Sequence, residues 1–149
     1  MAVEQQADRV AAVPDVTLVE LLTVAQRRVA RGVGAVLAED GATLDGYRVM
    51  RCLAASPGRS MGELGAALSL PAPTVTRLVD GLVDTAAAYR LPDPGDGRRV
   101  RVHLSARGRS RLLRLEGLVR AHESAFAATL GAERVQALVT ALAAVQPGD

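Results

Sequence analysis

The period of the hydrophobic pattern changes between Leu68 and Ser105, and this constrains the fold more than any other feature of the chain. Val75, Leu78, Val79, Leu82 and Val83 recur at the spacing of one helix face. Further on, Val100, Val102 and Leu104 alternate with Arg99, Arg101 and His103, the two-residue spacing of a half-buried strand. Between them Ala87 to Leu91 is a weak strand by composition, and Pro92-Asp93-Pro94-Gly95-Asp96-Gly97 can extend neither helix nor strand. A helix that runs into a tight hairpin is the expected local structure. With no Trp, one Phe and two Tyr in 149 residues, the core must be built from Leu, Val and Ala, which suits packed helices. The expected fold class is mainly α with a small β-hairpin.

The flanking chain fits this expectation. Residues 1–13 have no clean period and predict a frayed or weakly helical start. From Val16 to about Leu37, the residues Leu18, Leu22, Ala25, Val29, Val33 and Val36 keep a helical spacing, while Leu21 and Val24 add a second apolar side. A helix that is apolar on two sides needs two covers, one of which a second copy of the chain would supply. Gly41 closes this region, and Leu44 to Ala55 forms the next helix, stopped by Ser56-Pro57-Gly58. Ser60 with Glu63 three residues later has capping-box form, opening a short helix whose buried row is Met61, Leu64 and Leu68. Ser69 to Ala72 is the turn, and a helix from about Pro73 to Asp84 follows with no Ser, Thr, Asp or Asn just before it. Ser105 can cap a long helix with a stripe of Leu112, Leu115, Val119, His122, Phe126 and Leu130. The last helix carries Val135, Leu138, Val139, Leu142 and Val145.

Charge narrows the function. All 18 cations are Arg, and the formal net charge is only +2. Yet Arg98, Arg99, Arg101, Arg107, Arg109, Arg111 and Arg114 fall in one stretch without an Asp or Glu, which reads as a phosphate-facing patch on a hairpin and the helix behind it. There is no Gly-rich phosphate loop, no zinc-protease motif and no paired catalytic carboxylates, so no enzyme is expected, and no cofactor or metal. The single Cys52 excludes an internal disulfide framework. No apolar run is long enough to span a membrane, and the first residues are too charged for a secretory signal. A cytoplasmic protein without membrane contact is expected.

Short helix, turn, helix, strand, loop and basic strand, in that order, make a winged helix-turn-helix, and the residues resemble the MarR family of bacterial transcription regulators over nearly the whole chain. The resemblance is carried by Thr74-Val75-Thr76-Arg77-Leu78-Val79-Asp80, by Asp93-Pro94, Asp96, Arg98, Val100 and Val102, and by Leu104-Ser105 with Gly108. It implies one domain over residues 1–149, with dimerisation helices at about 14–38 and 106–146 and a winged helix-turn-helix at about 44–105. It further implies a homodimer on double-stranded DNA, and a cleft for a small aromatic or amphipathic effector. Pro71-Ala72-Pro73 stands where Ser-Arg-Ser is common, Gly81 where a long polar residue is frequent, Ala86-Ala87 in place of Gly-Leu, and Gly97 in place of a wing Arg. These departures leave fewer groups for reading bases.

The candidate contacts follow. Arg77 can bond guanine O6 and N7 in the major groove, and Pro73, Thr74 and Thr76 border it on the same helix. Arg98 is the wing residue for a narrow minor groove, and the resemblance gives Asp96 the task of orienting it. Arg99 and Arg101 are expected on backbone phosphates. Tyr47, Arg51 and His122 are guesses for the effector pocket. Cys52, with Arg48 and Arg51 nearby in sequence, is read as a packed residue in preference to a redox sensor. The other function class open to such a chain is a winged-helix interaction module without specific DNA readout.

Overall fold

The computed structural model describes residues 16–145, so the expectations for residues 1–13 and for the outer ends of the dimerisation helices lie outside the described residues. In chain order the elements are α1 (Leu18–Ala38), α2 (Leu44–Ala55), β1 (Arg59–Ser60), α3 (Met61–Leu68), α4 (Ala72–Asp84), β2 (Ala88–Pro92), β3 (Val100–Leu104), α5 (Ala106–Leu130) and α6 (Ala132–Ala143). The chain divides into a unit ending at Gly32 and a unit beginning at Val33. In the first, Leu18, Val19, Leu21, Leu22, Val24 and Val29 are exposed.

The second unit holds the core. Leu37, Met50, Leu53, Leu64, Val75, Val79, Val102 and Leu115 are almost completely buried and belong to one cluster. Truncating any of the larger ones to Ala would cost about 2–5 kcal/mol. Local chemistry fixes the element ends around this core. The Thr43 hydroxyl accepts the Gly46 N–H (3.1 Å) at the start of α2. Ser60 and Glu63 form the expected capping box of α3, through Glu63 Oε2 (2.7 Å) and Ser60 Oγ (3.2 Å). Helix α3 ends at Ser69 in the left-handed region (φ 54°), and the Leu70 N–H returns to the Gly65 carbonyl (3.0 Å).

Three strands form an antiparallel sheet in the order β1-β3-β2. Tyr89 pairs with His103 and Pro92 with Val100 across the hairpin, while Arg59 and Ser60 of β1 pair with Val102 and Arg101. Strand β1 was not anticipated, since two residues carry no readable period. The alternation in β3 holds for Val102 and Leu104, but Val100 is exposed because the hairpin projects past the core there. On α5 the stripe is buried at Leu112, Leu115 and Val119; Phe126 and Leu130 further along are 40% and 38% exposed. Helix α6 has no buried residue, and Leu138, Val139 and Leu142 stand open.

Candidate nucleic-acid interface

Helix α4 presents the site because its inner face is committed to the core. Val75, Val79 and Leu82 are buried, which turns Pro73, Thr76, Arg77, Asp80, Gly81 and Asp84 outward. Its N-cap is Pro71, with no side-chain cap; Pro73 has no N–H and the Thr74 N–H bonds the Pro71 carbonyl (3.0 Å), so of the first turn only the Ala72 N–H is left open. Arg77 is exposed, and its guanidinium has no hydrogen bond or ion pair among the described residues. The acidic residue one turn on is already paired: Asp80 accepts from Arg90 of β2 at 2.5 Å. The Thr76 hydroxyl donates back to the Ala72 carbonyl (3.0 Å), keeping lone pairs but no free proton. Thr74 is half-buried beside it.

At the other end of α4 the chain is clamped to α5. Ala86 takes a left-handed conformation (φ 56°), and the Ala87 N–H bonds the Leu82 carbonyl (2.8 Å). Ser105 Oγ donates to the Ala86 carbonyl (2.7 Å) and accepts the Gly108 N–H (2.9 Å). A Cβ on Gly108 would stand 1.9 Å from the Ala87 oxygen, so only glycine permits this approach. The orientation of the hairpin relative to α4 is thereby fixed.

The wing loop is held by two aspartates. Asp93 accepts the Gly95 N–H (2.8 Å) and Arg101 Nε (2.5 Å). The Gly95 N–H, then Arg101, hold its carboxyl below the usual aspartate range. Asp96 meets Arg98 through the backbone. Its Oδ1 accepts the backbone N–H of Arg98 (3.1 Å), and its Oδ2 lies 3.5 Å from Arg99 Nε. It therefore shapes the backbone at Arg98 and pairs with Arg99, leaving the Arg98 guanidinium exposed and unpaired among the described residues.

Arg101, expected on a DNA phosphate, is engaged within the chain: it bonds Asp93, donates from Nη1 to the Gly58 carbonyl (2.8 Å) and lies 3.7 Å from Glu63. Its position opposite Ser60 in the sheet aims it at the start of α3, making it a strut between wing and helix-turn-helix. The arginine block does not form one patch either. Arg98 and Arg99 are on the wing, Arg109 donates to the Leu104 carbonyl (2.9 Å), and Arg111 turns to Asp40 and Gly41.

The guessed effector residues are only partly brought together. Tyr47 is buried, with the Arg51 guanidinium 5.9 Å from its ring centre. Burial raises the Tyr47 phenol, Arg51 opposes this, and Glu116 and Glu123 reinforce it. No hydrogen bond or ring contact joins His122 to either residue among the described residues. Cys52 is half-buried against the core.

Residues 43–99, from the cap of α2 to the wing, match the sequence model of the MarR family. The chain is 34% identical over 100 residues to the HTH-type transcriptional repressor Rv2887 of Mycobacterium tuberculosis (strain H37Rv), covering 67% of this chain and 72% of that protein. The chain belongs to the MarR family. Its fold is similar to that of the transcriptional repressor CouR bound to a 23-mer DNA duplex, with a TM-score of 0.81 and 29% identity over 87% of this chain and 92% of that one. It is likewise similar to the Mycobacterium tuberculosis MarR family protein Rv2887 in complex with salicylic acid, with a TM-score of 0.75 and 29% identity over 89% and 98% of the two chains. As a MarR family member it is a DNA-binding transcription regulator with the winged helix-turn-helix architecture, and not an enzyme. Among the described residues no helix is long and apolar enough to cross a membrane.

Proposed function

We propose that this MarR regulator is a ligand-responsive repressor that binds a pseudo-palindromic operator as a homodimer. Helix α4 enters the major groove with Arg77, bordered by Pro73, Thr74 and Thr76; the wing lays Arg98 in the minor groove, with Arg99 at a phosphate. Half-sites about one helical turn apart match such a dimer. The observation that carries this reading is the pair of exposed, unpaired guanidinium groups at Arg77 and Arg98 in a chain whose neighbouring arginines are mostly engaged. Two copies would join through α1, α5 and α6. That assignment is supported by the uncovered apolar residues Phe126, Leu130, Leu138, Val139 and Leu142, which a monomer would leave in water.

A small aromatic or amphipathic effector that favours one lobe spacing over another would release the DNA, as differential affinity requires. The relative from Mycobacterium tuberculosis that was solved with salicylic acid supports this class of ligand. The test is a gel shift of the intergenic DNA beside the protein's own gene at two salt concentrations, with sedimentation to establish the oligomer. Retention of a palindrome over a scrambled duplex by a dimer is the expected result. Weak, equally salt-sensitive binding to any duplex would favour an interaction module, for which Pro71-Ala72-Pro73 and Gly81 leave room.

A further inference from the structure

Three arginines of α5 surround a cleft that DNA recognition leaves unused. Arg107, Ser110, Arg111 and Arg114, with Asp40 from the α1–α2 turn and Thr85 from the end of α4, line a space of about 490 Å³. Arg111 donates from Nη2 to the carbonyls of Asp40 (2.9 Å) and Gly41 (3.1 Å), and its Nε lies 3.3 Å from the Asp40 carboxylate. Arg114 lies 3.7 Å from the same carboxylate oxygen. Arg107's guanidinium and Ser110's hydroxyl have no partner among the described residues. Thr85 spends its proton on the Gly81 and Leu82 carbonyls, so it adds an oxygen but no donor.

Three cations facing one carboxylate leave an excess of two positive charges. A monoanion would cancel half of that, whereas a doubly charged phosphoryl group would cancel all of it. Its several oxygens would also suit the guanidinium forks and the Ser110 hydroxyl. We propose that this cleft binds the dianionic phosphoryl group of a small molecule, for which Asp40 is the internal competitor at Arg111 and Arg114. An incoming phosphoryl group draws Arg111 and Arg114 away from Asp40 and so loosens the turn between α1 and α2. Arg111 and Thr85 also wall an adjoining recess of about 210 Å³ that Arg77 lines, so occupancy reaches the proposed base-reading residue. That last consequence rests on the DNA-binding reading; the phosphoryl site does not.

Calorimetric titration of the full chain without DNA tests the site directly. Inorganic phosphate, phenyl phosphate and benzoate are compared at constant ionic strength, at about pH 8 where phosphoryl groups are doubly charged. Both phosphates should bind and benzoate should bind more weakly; a preference for phenyl phosphate would assign the natural ligand to the phosphoesters, and parity to free phosphate. Arg107→Gln and Arg114→Gln should each weaken binding about tenfold, and Asp40→Asn should tighten it about tenfold. Arg111 is left intact because its backbone bonds hold the turn. Equal binding of benzoate, no binding of either phosphate, or indifference to these substitutions would overturn the proposal. So would a uniform loss of DNA affinity and salt dependence in the arginine variants without phosphate binding, since the cleft would then hold a DNA phosphate. Phosphate binding that leaves DNA affinity unchanged would overturn the coupling to Arg77 alone.

Discussion

Replacing Gly108 by Ala sets two effects of opposite sign against each other. In an ordinary helix the change stabilises by about 1 kcal/mol, because Ala loses less backbone freedom. Here the new methyl would meet the Ala87 oxygen at 1.9 Å, the Ala87 carbonyl carbon at 2.9 Å and Leu104 Cδ2 at 3.1 Å. Reaching an ordinary carbon–oxygen separation would require α5 to retreat by roughly 1.4 Å. The same retreat stretches the bonds from Ser105 N to the Ala87 carbonyl (3.0 Å) and from Ser105 Oγ to the Ala86 carbonyl (2.7 Å). Overpacking of about 1–3 kcal/mol, plus about 1 kcal/mol for each weakened bond, exceeds the propensity gain. Gly108→Ala should therefore lose about 2–4 kcal/mol, read as a lower urea midpoint at fixed protein concentration. A variant as stable as the parent, or more stable, would refute the claim that this close approach organises the wing.

Other perturbations read the same junctions. Ala86 holds a left-handed conformation (φ 56°) that costs an alanine about 1–2 kcal/mol, so Ala86→Gly should raise the thermal midpoint by an amount equivalent to about 0.5–1 kcal/mol once glycine's greater entropy loss is counted. Asp93 is held below its ordinary value of 3.8 by the Gly95 N–H and then by Arg101, so its contribution to wing order is complete above that pH and is lost as pH falls through its lowered value. An NMR titration should show the Asp93 carboxyl rising toward the ordinary value in Arg101→Gln, and an unmoved titration would remove Arg101 as a strut. Cys52 is half-buried, and diamide should leave DNA binding of the parent and of Cys52→Ser alike; loss in the parent only would make it a sensor.

What could be read from the sequence depended on how local the determinant was. The bounds of α2 at Leu44 and Ala55 and the capping box of α3 follow from periodicity and from groups three residues apart. The outward face of α4 followed equally directly, since burying Val75 and Val79 leaves Arg77 no other side. Strand β1 escaped because its partner, Val102, lies far along the chain and two residues show no alternation. The intrachain anchoring of Arg101 escaped for the same reason. Its partners Gly58 and Glu63 come together with it only in the sheet. The arginine block looked like one surface because sequence spacing does not reveal which guanidinium finds a carbonyl or Asp40. Phe126 and Leu130 fit the helical stripe, yet the core of a single chain ends before reaching them.

The central claim is that Arg77 reads a base. Fluorescence anisotropy on the retained palindrome, and on a copy with its contacted guanines changed, should show the parent discriminating by about 1–3 kcal/mol per contacted position and Arg77→Ala losing that difference while keeping its salt dependence. If Arg77→Ala discriminates as well as the parent, or loses affinity for both duplexes equally with a shallower salt slope, Arg77 is a phosphate contact and the account of recognition is wrong.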